Sequence, residues 1–400
     1  MREPTRLDAA VVGAGAVGAS AALHLARLGF RVAVLEKEEG PARHQSGRSS
    51  GVVHAGYNLK PGTEKARFCR DGNRELKEWC RSHGVPLAEL GAFVVARDES
   101  EAGTLRELER RAKANGVAAR IVDRERLVEA EPHADGILAL HAPEVASFDA
   151  PAYVASVVAA AQAEGVEFRW GARVQAIEET SAGVRLATSA GPVDASVAVN
   201  AAGLHADRLA ARLAPDLRIV PFRGTYAEIV PGRRDLVRTH LYPTPDLAFP
   251  FLGVHLSRRT DGRVMVGPGA MLALGREAYS AWHLHLRDMA SMASWPGFWR
   301  LLAKSEVRRL VGRELRKSLD LGAVANEAAR LVPELQASDL VPAMAGNRAQ
   351  LVARDGALVD DIVVREGPSS VHVLNAVSPG LTCSLPFGRH LAALAAGKMP

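Results

Sequence analysis

The 400-residue sequence reads as α/β plus α+β, a parallel-sheet domain carrying an inserted, mainly antiparallel second domain. Three patterns point there. Residues 8–13 form a buried-type Ala/Val run, a glycine-punctuated turn follows, and an Ala/Leu-rich helix runs to Gly29 before a second apolar run at 30–36. A β-turn-α-β unit of about 30 residues argues for parallel strands. Residues 218–270 alternate in the manner of strands, with Pro and Gly at the turns, which suits an antiparallel sheet. Apolar runs return at 193–203 and 341–376, ahead of a closing helix at 380–397. The first domain is therefore expected to be discontinuous, using 1–80, 145–215 and 341–400, with 81–144 and 216–340 forming the second.

The remaining elements follow in order. Residues 40–62, rich in Gly, Ser and His, read as loop and short helix. Apolar spacing predicts amphipathic helices at 63–83 and 99–116, with a strand over Leu87–Ala96 between them. An Ala/Val helix covers 151–164, and 165–179 with 183–191 reads as a hairpin. Residues 277–318 read as helical, broken at Trp295-Pro296-Gly297. No internal repeat or low-complexity linker is visible.

Composition bounds the function. Hydrophobic residues make up 48% and charged residues 24%, the mix of a globular chain and not of a disordered one. No apolar run approaches the roughly 18 residues of a spanning helix. The start, MREPTRL, lacks the apolar region of a signal peptide. Cys69, Cys80 and Cys383 offer neither a disulfide framework nor metal-ligand spacing, so a cytoplasmic setting is expected. The net charge of +5 comes without a long basic block, and no nucleic-acid partner is expected. The sequence has no HExxH or GxxxxGK[ST] motif. His283 and His285, two apart on a predicted helix, make a poor metal pair, and Asp360-Asp361 reads as a turn or surface feature. No metal site is expected.

Gly13-Ala14-Gly15-Ala16-Val17-Gly18 follows a strand and opens a helix. The first glycine permits the tight turn, the second lets a pyrophosphate approach the backbone, and the third lets helix and sheet pack. The helix N-terminus offers free N–H groups and the positive end of its dipole. Glu36 closes the second strand, where an acid accepts hydrogen bonds from a ribose. This is a Rossmann-like dinucleotide fingerprint, and it does not by itself separate FAD from NAD.

The next segment narrows the field. His44-Gln45-Ser46-Gly47-Arg48-Ser49-Ser50-Gly51-Val52-Val53-His54-Ala55-Gly56-Tyr57 is followed by Lys60-Pro61-Gly62 and Lys65-Ala66-Arg67-Phe68-Cys69. Further on stand Asn200-Ala201-Ala202-Gly203, Arg223-Gly224-Thr225-Tyr226, Phe249-Pro250-Phe251-Leu252-Gly253-Val254-His255, Arg348-Ala349-Gln350 and Ser378-Pro379-Gly380-Leu381-Thr382. Over essentially its whole length the chain resembles the FAD-dependent L-2-hydroxyglutarate dehydrogenase/oxidase family, within the D-amino-acid-oxidase-like (glycine oxidase-like) superfamily. It departs from that family's pattern at Asn58, Gly269, Asn347 and Val377.

The resemblance implies non-covalent FAD. The implied cofactor set is Gly13, Gly15, Val17, Gly18, Glu36, Lys37, Ser46, Ser49, Ser50, Gly51, Val174, Ala202, Gly203, Pro379, Gly380, Leu381 and Thr382. It implies oxidation of an L-2-hydroxy acid, L-2-hydroxyglutarate first, with oxygen or quinone taking the electrons. That chemistry needs a base for the hydroxyl proton, which a neutral His suits, and a fixed cation for the α-carboxylate. His54, in a glycine-flanked loop, is the first choice of base, and His255, after a Pro/Phe/Gly run, is its rival. Arg348 is the expected carboxylate anchor, with Gln350 beside it, and Lys60 and Tyr57 are candidates for the distal carboxylate. The last helix is expected to start on a Ser or Thr cap, its N–H groups facing the flavin.

Other readings remain open. An amine or amino-acid oxidase of the same superfamily would use the same cofactor, and a flavin-binding subunit without turnover would keep it without chemistry. The stretch Trp282–Arg316, with Trp295, Phe298, Trp299 and Leu301 near several arginines, reads first as a core-covering amphipathic helix. Peripheral contact with the inner face of a membrane is its other reading.

Overall fold

In the computed structural model, which describes residues 6–247, 253–280, 282–376 and 378–399, the strand Leu7–Val12 lies inside an eight-stranded sheet. It pairs in parallel with Val32–Leu35 on one side and Val193–Asn200 on the other. Glu167–Arg169 and Ser370–Asn375 continue the parallel set at its two flanks. Alternate residues face opposite sides. Ala9, Val11 and Val34 pack with Leu23, Leu25 and Leu391 of the helices Ala16–Arg27 and Ser384–Ala396. Ala10, Val12 and Leu35 pack with Val184 and Leu186 of an antiparallel hairpin. Both faces are covered, which explains the near-continuous apolar runs.

That hairpin is shorter than the sequence suggests. Val174–Thr180 pairs with Gly183–Thr188, while Glu167–Arg169 leaves it to join Val32–Leu35. Gly171, at φ +69°, turns the chain between the two pieces.

The second sheet has nine strands. Its neighbours run Met271–Leu272, Leu217–Ile229, Val264–Gly267, His255–Arg258, His240–Pro243, Ala92–Ala96, Leu138–Ala142 and Arg120–Asp123. Pairing is antiparallel except where His240–Pro243 meets Ala92–Ala96. The ninth strand, Leu340–Ala353, pairs along nearly the whole of Leu217–Ile229, setting Arg348 opposite Phe222. The expected boundary at 341 is therefore corrected: those residues belong to the inserted sheet, and the chain returns to the parallel sheet only after Ala353. The boundary at 80 moves as well, because Leu87–Ala88 pairs with Ala146–Phe148, which also holds Val52–Val53. The strand expected over 87–96 is thus two strands in two sheets.

The helical stretch begins later than expected, at Leu286. Residues 276–279 are held instead by long-range polar bonds, among them the buried Arg276–Asp207 ion pair and the bond from the Arg276 N–H to Asp288 Oδ2 at 2.8 Å. His285 caps Leu286–Ala293, so neither it nor His283 lies within the helix. Trp295, Phe298 and Leu301 pack under Phe222 and Val352, as a core-covering helix requires, while Trp282, Leu284, Leu286 and Trp299 are exposed. No helix among the described residues is long and apolar enough to cross a membrane.

One close approach places the centre of the molecule. A Cβ on Gly72, in the helix Glu64–Ser82, would lie 2.0 Å from the Thr382 carbonyl oxygen. Only glycine lets this helix touch the loop before the closing helix. Gly72→Ala is expected to lower stability by about 1–3 kcal/mol through overpacking, read as a fall in urea midpoint, and to weaken retention of any ligand held by that loop.

Burial also sets an acid limit. His24, His54, His255 and His372 are pushed down to about 4, and His240 to about 3, in each case chiefly by desolvation. Unfolded histidines titrate near 6.5. Between those values the unfolded chain binds more protons than the folded one, so stability falls as pH falls through that window. Melting temperature is expected to drop steeply from pH 6.5 toward 4.

Candidate active site

Loops from both sheets line a cavity of about 750 Å³ that runs from Glu36 and Val174 past the Gly13–Gly18 turn to His54, His255 and Arg348. Pockets for sizeable organic ligands span about 300–1,000 Å³. At one end the helix Ala16–Arg27 starts on Gly15 without a side-chain cap of its own. Ser46 Oγ, from the following loop, accepts the Ala16 N–H at 3.1 Å. Glu36 braces the turn, its Oε2 accepting the Ala14 N–H at 2.7 Å and its Oε1 the Glu38 N–H at 3.0 Å. Of the expected cofactor residues, Gly13, Gly15, Val17, Glu36, Lys37, Ser46, Ser49 and Ser50 line the cavity, as do Val174, Ala202, Gly203, Pro379, Gly380, Leu381 and Thr382. Gly18 and Gly51 do not. The Gly13 carbonyl oxygen lies 2.0 Å from where a Gly18 Cβ would be, so Gly18 shapes the turn from behind. Gly51, at φ +72°, turns against the Phe148 carbonyl. A helix N-terminus, a braced turn and an acid ending the second strand together suit a dinucleotide diphosphate and ribose.

Lys37 is shared. Its ammonium lies 2.8 Å from Glu277 Oε1 and 2.7 Å from His44 Nε2, and it also meets Glu38. His205 Nε2 contacts the same Glu277 oxygen at 2.7 Å. His205 and Lys37 together hold the Glu277 carboxyl well below the usual carboxylate range. This cluster ties the nucleotide segment to residues 277–279 across the cavity mouth, with Lys37 supplying its positive charge.

His54 is fixed on three sides. Its backbone N–H donates to Thr382 Oγ1 at 3.0 Å, its carbonyl accepts from Asn73 Nδ2 at 3.1 Å, and its ring stacks on Tyr57 at 5.0 Å. The Gly56 N–H donates to His54 Nδ1 at 2.9 Å. An amide donor there requires a lone pair on Nδ1, so the neutral ring carries its proton on Nε2. His255 is fixed the other way. Its Nδ1 lies 3.0 Å from the Gly253 carbonyl oxygen, which can only accept, so Nδ1 carries the proton and Nε2 keeps the lone pair. The His255 ring stacks on Tyr242 at 4.6 Å. Burial pushes both histidines down to about 4, so both are neutral near pH 7.

Arg348 reaches the cavity from the strand Leu340–Ala353. Its Nε donates to Gln350 Oε1 at 3.1 Å, and Gln350 Nε2 donates in turn to the Val359 carbonyl at 2.9 Å. Burial lowers the guanidinium to about 10, against the opposing pull of Asp360. Two of the expected substrate contacts lie outside the cavity lining. Gln350 is fully buried outside the cavity lining and orients Arg348, and Tyr57 lies behind His54 as its stacking partner. Lys60 is exposed at the cavity edge. Thr382 accepts the His54 N–H instead of capping the closing helix, whose cap position is Cys383.

Sequence reasoning missed Lys65, which lines the cavity and pairs with Asp360 at 2.7 Å. A signal was present: a lysine two residues after the Thr63 cap opposes the helix dipole and calls for a carboxylate partner. Asp360-Asp361 is accordingly no idle turn, since Asp361 Oδ1 accepts the Lys65 N–H at 2.9 Å. Cys69 Sγ donates to the His54 carbonyl at 3.3 Å, and burial holds its thiol well above the usual range. Of the departures from the family pattern, Asn347 donates to the Arg276 carbonyl at 2.9 Å, and the space beside Gly269 is taken by Glu314, which accepts the Ala270 N–H at 2.6 Å. Asn58 lines the cavity, while residues 249–252 and Val377 lie outside the described residues.

A family model described as FAD dependent oxidoreductase matches residues 8–394. The chain is 38% identical over 389 residues to an L-2-hydroxyglutarate dehydrogenase of Escherichia coli, covering 96% of this chain and 92% of that one. It is 36% identical over 384 residues to an L-2-hydroxyglutarate dehydrogenase of Indibacter alkaliphilus, covering 94% and 96%. Its fold is shared with a FAD-bound L-alpha-glycerophosphate oxidase of Mycoplasma pneumoniae, at a TM-score of 0.79 and 21% identity, over 98% of this chain and 96% of that one. With nearly the whole length matched in each comparison, the chain belongs to the FAD-dependent oxidoreductases and, within them, to the family of the L-2-hydroxyglutarate dehydrogenases.

Proposed function

We propose that the protein oxidises L-2-hydroxyglutarate to 2-oxoglutarate, with FAD as its cofactor and oxygen or a quinone as the final electron acceptor. The observation that carries the chemistry is the pair of neutral cavity histidines held in opposite tautomers. FAD, when bound, supplies the two-electron acceptor for the hydride that leaves the carbinol carbon. The chain's own residues handle the rest. His255, which lines the cavity, keeps its lone pair on Nε2 and takes the hydroxyl proton there, while its Nδ1–H stays on the Gly253 carbonyl and stabilises the imidazolium. His54 offers Nε2–H, a donor and not a base, because Gly56 occupies its other nitrogen. That donor can hold the substrate oxygen as it becomes a carbonyl. Arg348, oriented by Gln350, takes the α-carboxylate.

The reading is tested by anaerobic mixing of the FAD-loaded protein with L-2-hydroxyglutarate. The visible flavin band is expected to bleach with this enantiomer and not with the D form; an oxidised spectrum after both sinks the proposal. His255→Gln is expected to slow that bleaching by about 10²–10⁴ with FAD retained. His54→Gln, which keeps an N–H donor, is expected to cost less, and the reverse order would move the base to His54. Arg348→Lys removes the fork geometry and should raise KM for the hydroxy acid by about 10-fold or more. Gln350→Leu should raise it in the same sense by releasing the guanidinium. The pH profile offers a further check. A base at about 4 is already deprotonated at pH 6, so kcat/KM should show no inflection near 6.5 and should fall only below about pH 5.

A further inference from the structure

The Lys65 side chain is 7% exposed, yet it lines the cavity, and its charge reaches His54. Asp360 Oδ1 lies 2.7 Å from Lys65 Nζ; the Asp360 side chain is 59% exposed, lines the same cavity, and also acts on Arg348. Here one acid projects into the cavity and faces two cations that stand on separate elements. An ammonium has three donors, and Asp360 takes one. Its neighbour Asp361 holds the arrangement in place by accepting the Lys65 backbone N–H. Lys60 lacks this setting, being exposed.

We propose that Lys65 is the receptor for the distal carboxylate of a dicarboxylic substrate, and that Asp360 is an internal carboxylate that keeps that position until the substrate arrives. The assignment rests on the reading above, in which Arg348 takes the α-carboxylate. Arg348 and Lys65 then fix the two ends of the substrate, in the cavity that both histidines line. A monocarboxylic acid of the same length leaves Lys65 with Asp360 alone and gains nothing from it, so chain-end selectivity resides in this pair.

The test uses two acids that cannot be oxidised, glutarate and pentanoate, titrated into the FAD-loaded protein while the visible flavin spectrum is followed. The wild type is expected to prefer glutarate. Lys65→Met is expected to cut that preference by about 30-fold or more, the scale of losing one partner of a desolvated charge pair. Asp360→Asn removes the competing carboxylate and should tighten glutarate by about 2- to 5-fold. A preference unchanged in Lys65→Met, a weaker glutarate complex in Asp360→Asn, or a wild type indifferent to glutarate overturns the proposal. Should Lys65→Met not fold, the Asp360→Asn result decides alone. Neither ligand reacts, so the outcome is independent of turnover. A glutarate preference lost in Lys65→Met, beside a flavin that L-2-hydroxyglutarate cannot bleach, would keep the subsite and reject the oxidation.

Discussion

Two loops that are 328 residues apart in sequence meet through a single hydrogen bond, from the His54 N–H to Thr382 Oγ1. The centre of the molecule is arranged around that meeting. Gly72 lets a helix press on the Thr382 carbonyl, Asn73 in the same helix holds the His54 carbonyl, and Tyr57 supports the ring. His54 is thereby positioned from the N-terminal loop, the following helix and the C-terminal loop at once. The opposite wall is built independently, from the nine-stranded sheet, whose register sets Arg348 opposite Phe222 and whose strand His255–Arg258 starts at His255.

The cavity's electrostatics follow from how each wall is hydrated. Both histidines are stripped of water and, among the described residues, have no acidic hydrogen-bond partner, which keeps them uncharged. Arg348 and Lys65 keep Asp360 within reach. The cavity thus keeps its uncharged imidazoles apart from its cations, although the Lys65 charge still helps to hold His54 neutral.

The parallel sheet was legible because its signals are local. A strand, a turn with glycines at three positions and an acid at the end of the next strand lie within the first 36 residues. The antiparallel sheet was legible as a class but not in its borders. Strand Leu340–Ala353 is apolar enough to suit either sheet, and only its long ladder with Leu217–Ile229 decides the matter. Resemblance pointed to His54, His255 and Arg348, which line the cavity, whereas their tautomers and orientation depend on Gly56, Gly253 and Gln350, contacts that a linear motif does not encode. Tyr57 and Gln350 fall outside the lining for the same reason: adjacency in sequence to a cavity residue places a side chain beside it or behind it with equal ease. Lys65 carried a dipole conflict as its only trace.

The order of strands in the first sheet has a consequence for biosynthesis. Leu7–Val12 must pair with Val193–Asn200, and that strand with Ser370–Asn375. A chain emerging from the ribosome N-terminus first can close the Gly13–Gly18 turn early, but it leaves the 198–200 end of Val193–Asn200, beyond its pairing with Gly183–Thr188, open until Ser370–Asn375 is made. Such long-range pairing is slow and leaves strand edges exposed while it waits. The loop that bonds His54 comes later still, and the cavity stays half-walled until it has been made.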